Sequence, residues 1–224
     1  YKTVKGNLDE GFVGTGGRSY IGGRVDFRIT ILNKSEVAIN SATVLDVLPS
    51  VGDYTIAPDS NGGYSPRGSS FPVRLTGPVT GGAAGASFNI YYNYTAKTTG
   101  QSPATYAAGP GWTSAVGDYS LVRGIKIEMA SGELAKDQSA TFTLPATTPF
   151  DIRLRDGQKA NNTAAVSTGG SYTESSFSSI VINNIVIQGT AFRDYNENSL
   201  KDGSPEPGIP GVKVRLMMLA RDEN

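Results

Sequence analysis

Apolar and polar residues alternate with a period of two along much of the chain, and no window sustains the roughly 3.6-residue period of an amphipathic helix. The sharpest alternation sets Val25, Phe27, Ile29 and Ile31 against Asp26, Arg28 and Thr30, which predicts a strand with one face in a core. After a turn at 33–36, Ala42, Val44 and Asp46 alternate with Thr43, Leu45 and Val47, and Pro49 closes that second strand. Residues 1–4 are read as a first strand and 11–23 as a Gly-rich loop. Further strands are expected at 71–75, 87–94, 121–129, 140–144, 150–154, 164–168 and 178–187, with long loops at 54–70 and 98–119.

Composition sharpens this reading. The 28 Gly and 12 Pro, with many Ser, Thr and Asn, separate the short alternations in the manner of an all-β sandwich. A chain of 224 residues accommodates one large or two unequal domains. Twenty basic and twenty acidic residues cancel without a Lys/Arg cluster, so nothing marks a nucleic-acid partner. No run of about 18 apolar residues is present to span a membrane as a helix. Without Cys or His, zinc, thiol and imidazole chemistry are unavailable. Acid pairs such as Asp151 with Asp156 or Glu128 with Glu133 are not placed in one cleft by anything in the sequence, and the chain is not expected to be an enzyme.

One stretch demands a specific chemistry. In 189–214, Asp194, Asn196 and Asn198 stand at alternate positions, followed by the Leu200 carbonyl, Asp202 and Glu206. Hard oxygens at this spacing suit Ca²⁺, which takes about six to eight of them in flexible geometry. The pattern departs twice from an EF-hand-type loop. Ser199 stands where Gly would make the sharp turn, and Glu206 falls one residue late, which leaves open a weaker site or one with water in place of Glu206. A polar turn between strands is the competing reading. The run from Phe192 through Gly208-Ile209-Pro210-Gly211-Val212 and on to Val214 and Leu216 resembles the opening of the B domains of serine-aspartate-repeat surface adhesins. That resemblance implies a Ca²⁺ loop stiffening a stalk, in a second domain over 188–224 that is truncated.

Residues 24–53 resemble the conserved-repeat Ig-like domains of large bacterial surface proteins, through Asn33 and Asp46-Val47-Leu48-Pro49. Asn162-Thr163-Ala164 matches the way such domains close. The two resemblances imply an all-β protein: an Ig-like β-sandwich over 1–187 with long loop insertions, followed by an incomplete second β-sandwich domain. They imply an extracellular, wall-attached segment of a Gram-positive surface protein, structural or adhesive in role. The alternative is that 1–187 itself binds a host protein or glycan. Tyr106 and Trp112 are the loop aromatics on which such a ligand could stack, against the plainer reading that Trp112 covers the sandwich edge. The protein is expected to be monomeric apart from edge-strand pairing at its truncated end.

Surface adhesin and pilin domains of Gram-positive bacteria often carry an intramolecular isopeptide bond between a Lys near the first strand and an Asn near the last, promoted by a buried acid. By chain order, this resemblance points to Lys2 or Lys5, Asp26 and Asn162. Asn162 shares parity with Ala164 and Val166 and is expected to point inward. Asp26 has the parity of the polar face, where its carboxyl stays ionised. The ordinary reading is a surface Lys and a turn Asn.

Overall fold

The computed structural model describes residues 1–183, 190–199, 201 and 206–212. The chain divides into a unit spanning Tyr1–Asn184 and another spanning Ile185–Asn224.

In the first unit the elements in order are β1 (Lys2–Gly6), β2 (Gly17–Ser19), β3 (Arg24–Leu32), β4 (Thr43–Val47), β5 (Arg74–Leu75), β6 (Thr80–Gly82), β7 (Ala86–Asn93), α1 (Pro103–Ala108), a 3-10 turn (Tyr119–Leu121), β8 (Gly124–Gly132), β9 (Ser139–Thr147), β10 (Lys159–Asn162), β11 (Ala164–Ser167), β12 (Thr173–Glu174) and β13 (Ser178–Ile182). One sheet runs β1-β3-β9-β5 with β6 also on β9, and a second runs β12-β11-β4-β8-β7. A small third sheet, β10-β13-β2, includes a parallel pair between β13 and β2. The first unit is an all-β sandwich, as the alternation predicts.

The inward positions of β3 are Val25, Phe27, Ile29 and Ile31. They meet Phe142 and Leu144 of β9 and Ile125 and Ile127 of β8 in a continuous buried core. Strand β3 pairs antiparallel with β9 along its length, from Arg24 opposite Thr147 to Leu32 opposite Ser139.

Strand β4 is buried on both faces. Val44 joins the main core, while Leu45 and Val47 form a second cluster with Ile56, Ala57, Tyr106 and Ala165. The loop 54–70 and α1 supply that outer cover. A strand apolar at successive positions has this requirement, since either face left in water would forfeit its burial.

Three expectations are corrected. A short helix exists: Ser102 caps α1 by accepting from the Thr105 N–H, with Pro103 in its first turn. Its six residues are too few to show a periodic stripe. The strand expected at 150–154 is a turn, in which Asp151 accepts the Arg153 N–H at 2.9 Å and competes with ladder pairing. The Gly-rich stretch 11–23 contains β2, which pairs with β13.

In the second unit, Phe192 bridges Gly208, and the Ile209 N–H donates to the Ala191 carbonyl at 2.8 Å. Leu200, Asp202, Val214 and Leu216 lie outside the described residues, as do 184–187 of the last expected strand.

Candidate functional site

The chain moves from β10 in the small sheet to β11 in the large one at Thr163, and polar side chains from distant strands gather at that crossing. In β1 the buried positions are Lys2, Val4 and Gly6. Lys2 therefore points into the sandwich, where its side chain is fully buried and its Nζ lies 5.1 Å from the centroid of the Phe27 ring. Its Nζ forms an ion pair with Asp46 Oδ2 and donates to the Thr163 carbonyl at 3.1 Å. Asp46 faces inward with Val44, opposite Ala164 on β11 and Ile125 on β8. It is 1% exposed, and its Oδ1 has no hydrogen-bond partner.

Asn162 is completely buried. Its Nδ2 lacks a partner, and its Oδ1 accepts from Arg67 Nη1 at 3.4 Å. The neighbouring Asn161 is occupied otherwise: its amide nitrogen bonds the Arg67 carbonyl, and its Oδ1 accepts from Ser179 Oγ at 2.5 Å. Glu174 closes the outside of the crossing. It accepts from the Ile56 and Ala57 N–H groups at 2.9 and 2.7 Å and from Thr163 Oγ1.

Burial pulls the Lys2 ammonium down to about 8, against the opposing pull of the Asp46 carboxylate beside it. An amine whose proton burial loosens, a carboxylate beside it and a buried carboxamide are the three components of amide exchange.

Of the residues considered for such a bond from sequence, the structure brings Lys2 and Asn162 to one crossing and leaves out the other two. Lys5 faces outward and donates to the Glu10 carbonyl at 3.0 Å. Asp26 pairs with Arg24 at 3.0 Å on the polar face of β3. The acid beside Lys2 is Asp46 instead, and its shared parity with Ala42 and Val44 is the signal for it: a carboxylate on an apolar face.

Tyr106 and Trp112 do not form an exposed stacking platform. Tyr106 is buried with its hydroxyl donating to the Thr95 carbonyl at 2.7 Å, and Trp112, half-buried, donates from Nε1 to the Tyr106 carbonyl at 3.0 Å. An open concavity lies elsewhere, a cleft of about 580 Å³ lined in part by Pro58, Tyr172, Glu174 and Phe177.

In the 190–212 loop, Asp194 accepts the Ser199 N–H at 2.7 Å and the Asn198 N–H at 3.3 Å. Asn196 Oδ1 also accepts from the Asn198 N–H, at 3.1 Å. These backbone donors, Ser199 first, hold the Asp194 carboxyl below the usual carboxylate range. Ser199 takes the left-handed conformation, φ 64°, and so makes the turn that Gly would make. Glu206 is buried and accepts the Tyr195 N–H at 3.2 Å, which sets its carboxylate beside the loop although it comes one residue late. Asp194, Asn196, Asn198 and Glu206 thus fit a hard cation by type and by their common loop. Among the described residues no cluster of three His, Cys, Asp or Glu exists.

No family model matches the chain. No curated protein matches it either. Among solved structures it is similar to the C-terminal domain of the antigen I/II-family protein AspA of Streptococcus pyogenes, at 12% identity and TM-score 0.40, covering 81% of this chain and 45% of that one. It is similar also to the C-terminal domain of the antigen I/II polypeptide BspA of Streptococcus agalactiae, at 10% identity and TM-score 0.41, covering 81% and 49%. The pilus backbone RrgB of Streptococcus pneumoniae follows at 7% identity and TM-score 0.30, covering 77% and 33%. The chain spans under half the length of these structures.

Proposed function

We propose that the chain is a load-bearing segment of a Gram-positive cell-surface protein, exposed outside the cell, whose first unit is locked by a covalent bond between Lys2 Nζ and Asn162 Cγ. The observation that carries this reading is the fully buried Lys2–Asp46 pair beside a buried Asn162 whose amide nitrogen has no partner. Lys2 passes a proton to Asp46, and the neutral amine attacks Cγ. The nitrogen lost from Asn162 leaves as ammonia, and Asp46 retains the proton as a neutral acid. One C–N bond forms and one breaks, with no oxidant or cofactor. The new bond joins the first strand to the end of β10, so force applied along the chain bypasses the fold between them. In the second unit, Ca²⁺ held by Asp194, Asn196, Asn198 and Glu206, with Leu200 and Asp202 as further donors, stiffens the stalk.

Single-molecule pulling tests the covalent lock. The wild-type chain is expected to release no length from the segment between Lys2 and Asn162, whereas Asn162→Ala extends through it. Equal extension of both would refute the lock. The second reading, a module binding a host protein or glycan, is favoured by the cleft at Tyr172 and Phe177. Loss of binding in a Phe177→Ala variant, in a screen against host glycans and matrix proteins, would support it.

A further inference from the structure

Arg67 is a second buried charge at the same crossing, and the amide exchange described above does not use it. Its side chain is fully buried, and Nη2 pairs with Asp53 at 2.7 Å and reaches the Leu48 carbonyl at 3.4 Å. One hydrogen of Nη1 goes to the Val47 carbonyl at 2.8 Å. The other is left for Asn162 Oδ1 at 3.4 Å and Thr163 Oγ1 at 3.5 Å. Anchoring the 54–70 loop would need only the Asp53, Val47 and Leu48 contacts. The donor aimed at Oδ1 is additional, and it falls on the one atom that must take negative charge when an amine adds to Cγ.

We propose that Arg67 is a catalytic residue of the Lys2–Asn162 amide exchange, holding the charge that develops on Asn162 Oδ1. This inference rests on the covalent bond proposed above. Attack of the Lys2 amine on Cγ turns the carbonyl into a tetrahedral oxyanion, and the permanently cationic guanidinium stabilises it through Nη1. The contact at 3.4 Å is long for a ground-state hydrogen bond. A donor placed for the transition state is expected to tighten as the charge forms, which raises the rate without stabilising the starting amide. The division of labour is then complete. Asp46 takes the proton from Lys2 Nζ, Arg67 carries the oxyanion, and collapse of the intermediate expels Nδ2 as ammonia, its added proton coming from the attacking nitrogen. The Asp53 carboxylate fixes the guanidinium plane and, through its neighbours Ser50 and Ser69, joins it to the rest of the loop.

The test follows full chain made by cell-free translation and chased by intact mass, so that ammonia loss is timed from synthesis. Arg67→Met is expected to fold and to slow the loss on the order of a hundredfold on the alkaline plateau of its pH profile, a profile that itself moves upward because the guanidinium is one of the charges that hold the Lys2 ammonium down. Asp53→Asn, which loosens the same loop but leaves the guanidinium in place, is expected to remain near the wild-type rate. Wild-type speed in Arg67→Met, or equal slowing in Asp53→Asn, overturns the role of Arg67 while leaving the bond intact. Should Arg67→Met not fold, Arg67→Lys carries the test. Its ammonium, drawn to the Asp53 carboxylate, lacks the planar fork whose two nitrogens reach Asp53 and Oδ1 separately, so it too is expected to be slow, and wild-type speed there overturns the inference. Failure of the wild type itself to lose ammonia overturns the bond and this inference together.

Discussion

At the scale of single residues, the decisive fact is a charged pair in an apolar interior. Removing one partner of such a pair leaves an uncompensated buried charge and costs about 3–5 kcal/mol, whereas replacing both with apolar groups of similar size is close to neutral. In an Asn162→Ala background, where no bond can form, Asp46→Ala is expected to lose about that much in urea unfolding, and Lys2→Met with Asp46→Leu to recover most of it. The same background exposes the titration of Lys2. Its ammonium releases a proton at about 8 when folded and at 10.5 when unfolded. Between those values the unfolded chain binds more protons, so stability rises with pH through that window. The charges facing Lys2 are Asp46, Arg67 and Glu174. A Lys2→Met control in that background is expected to lose this rise, and an unchanged pH profile would contradict the assignment. The inward direction of Asn162 was legible from its parity with Ala164 and Val166. Asp46 was equally legible, since it completes the Ala42, Val44 face, but only a rule that treats an acid on an apolar face as a signal would find it. Nothing in the sequence marks Arg67, because it sits in a loop without periodicity and its burial comes from contacts with β4 and β10.

At the scale of elements, the 54–70 loop is part of the fold. Glu174 on the short strand β12 binds two of its backbone N–H groups, and Ile56 and Ala57 roof the outer face of β4. Glu174→Ala is expected to cost about 1–3 kcal/mol for the donors left without an acceptor. Hydrogen exchange should accelerate at the Ile56 and Ala57 amides while β3 and β9 stay protected. Gly124 tests the other roof element. A Cβ there would lie 2.1 Å from the Tyr106 hydroxyl, so Gly124→Ala must displace α1 or β8. The expected loss is about 1–3 kcal/mol of overpacking, with Tyr106→Phe relieving part of it in a thermal melt. The strands that alternate cleanly, β3 above all, were readable from sequence because one face meets water. The loop cover and α1 were not, because a roof made of short, aperiodic segments carries no repeat to detect, and 150–154 has alternating side chains without a ladder partner.

At the scale of the whole molecule, two units carry two different devices. The sandwich closes on a Lys–Asp–Asn crossing between its first strand and its late strands. The second unit folds a loop of oxygen donors in which Ser199 makes the left-handed turn. Calcium at about a hundred times its dissociation constant adds about 2.7 kcal/mol to whatever it binds when folded. Ca²⁺ is therefore expected to slow hydrogen exchange across 190–199 in the wild type and not in Asp194→Ala, and equal exchange with and without the ion would remove the calcium reading. The sequence names Asp194, Asn196, Asn198 and Glu206 by type and spacing, whereas the Tyr195 N–H that Glu206 accepts is seen only in the structure, since nothing in the spacing says which backbone group a late carboxylate meets. The central claim is that the first unit is covalently closed. Peptide mass spectrometry of the digested wild-type chain tests it most directly: the account predicts a branched peptide joining Lys2 to Asn162, one ammonia lighter than its two parts. Recovery of the two peptides separate and at full mass would contradict it.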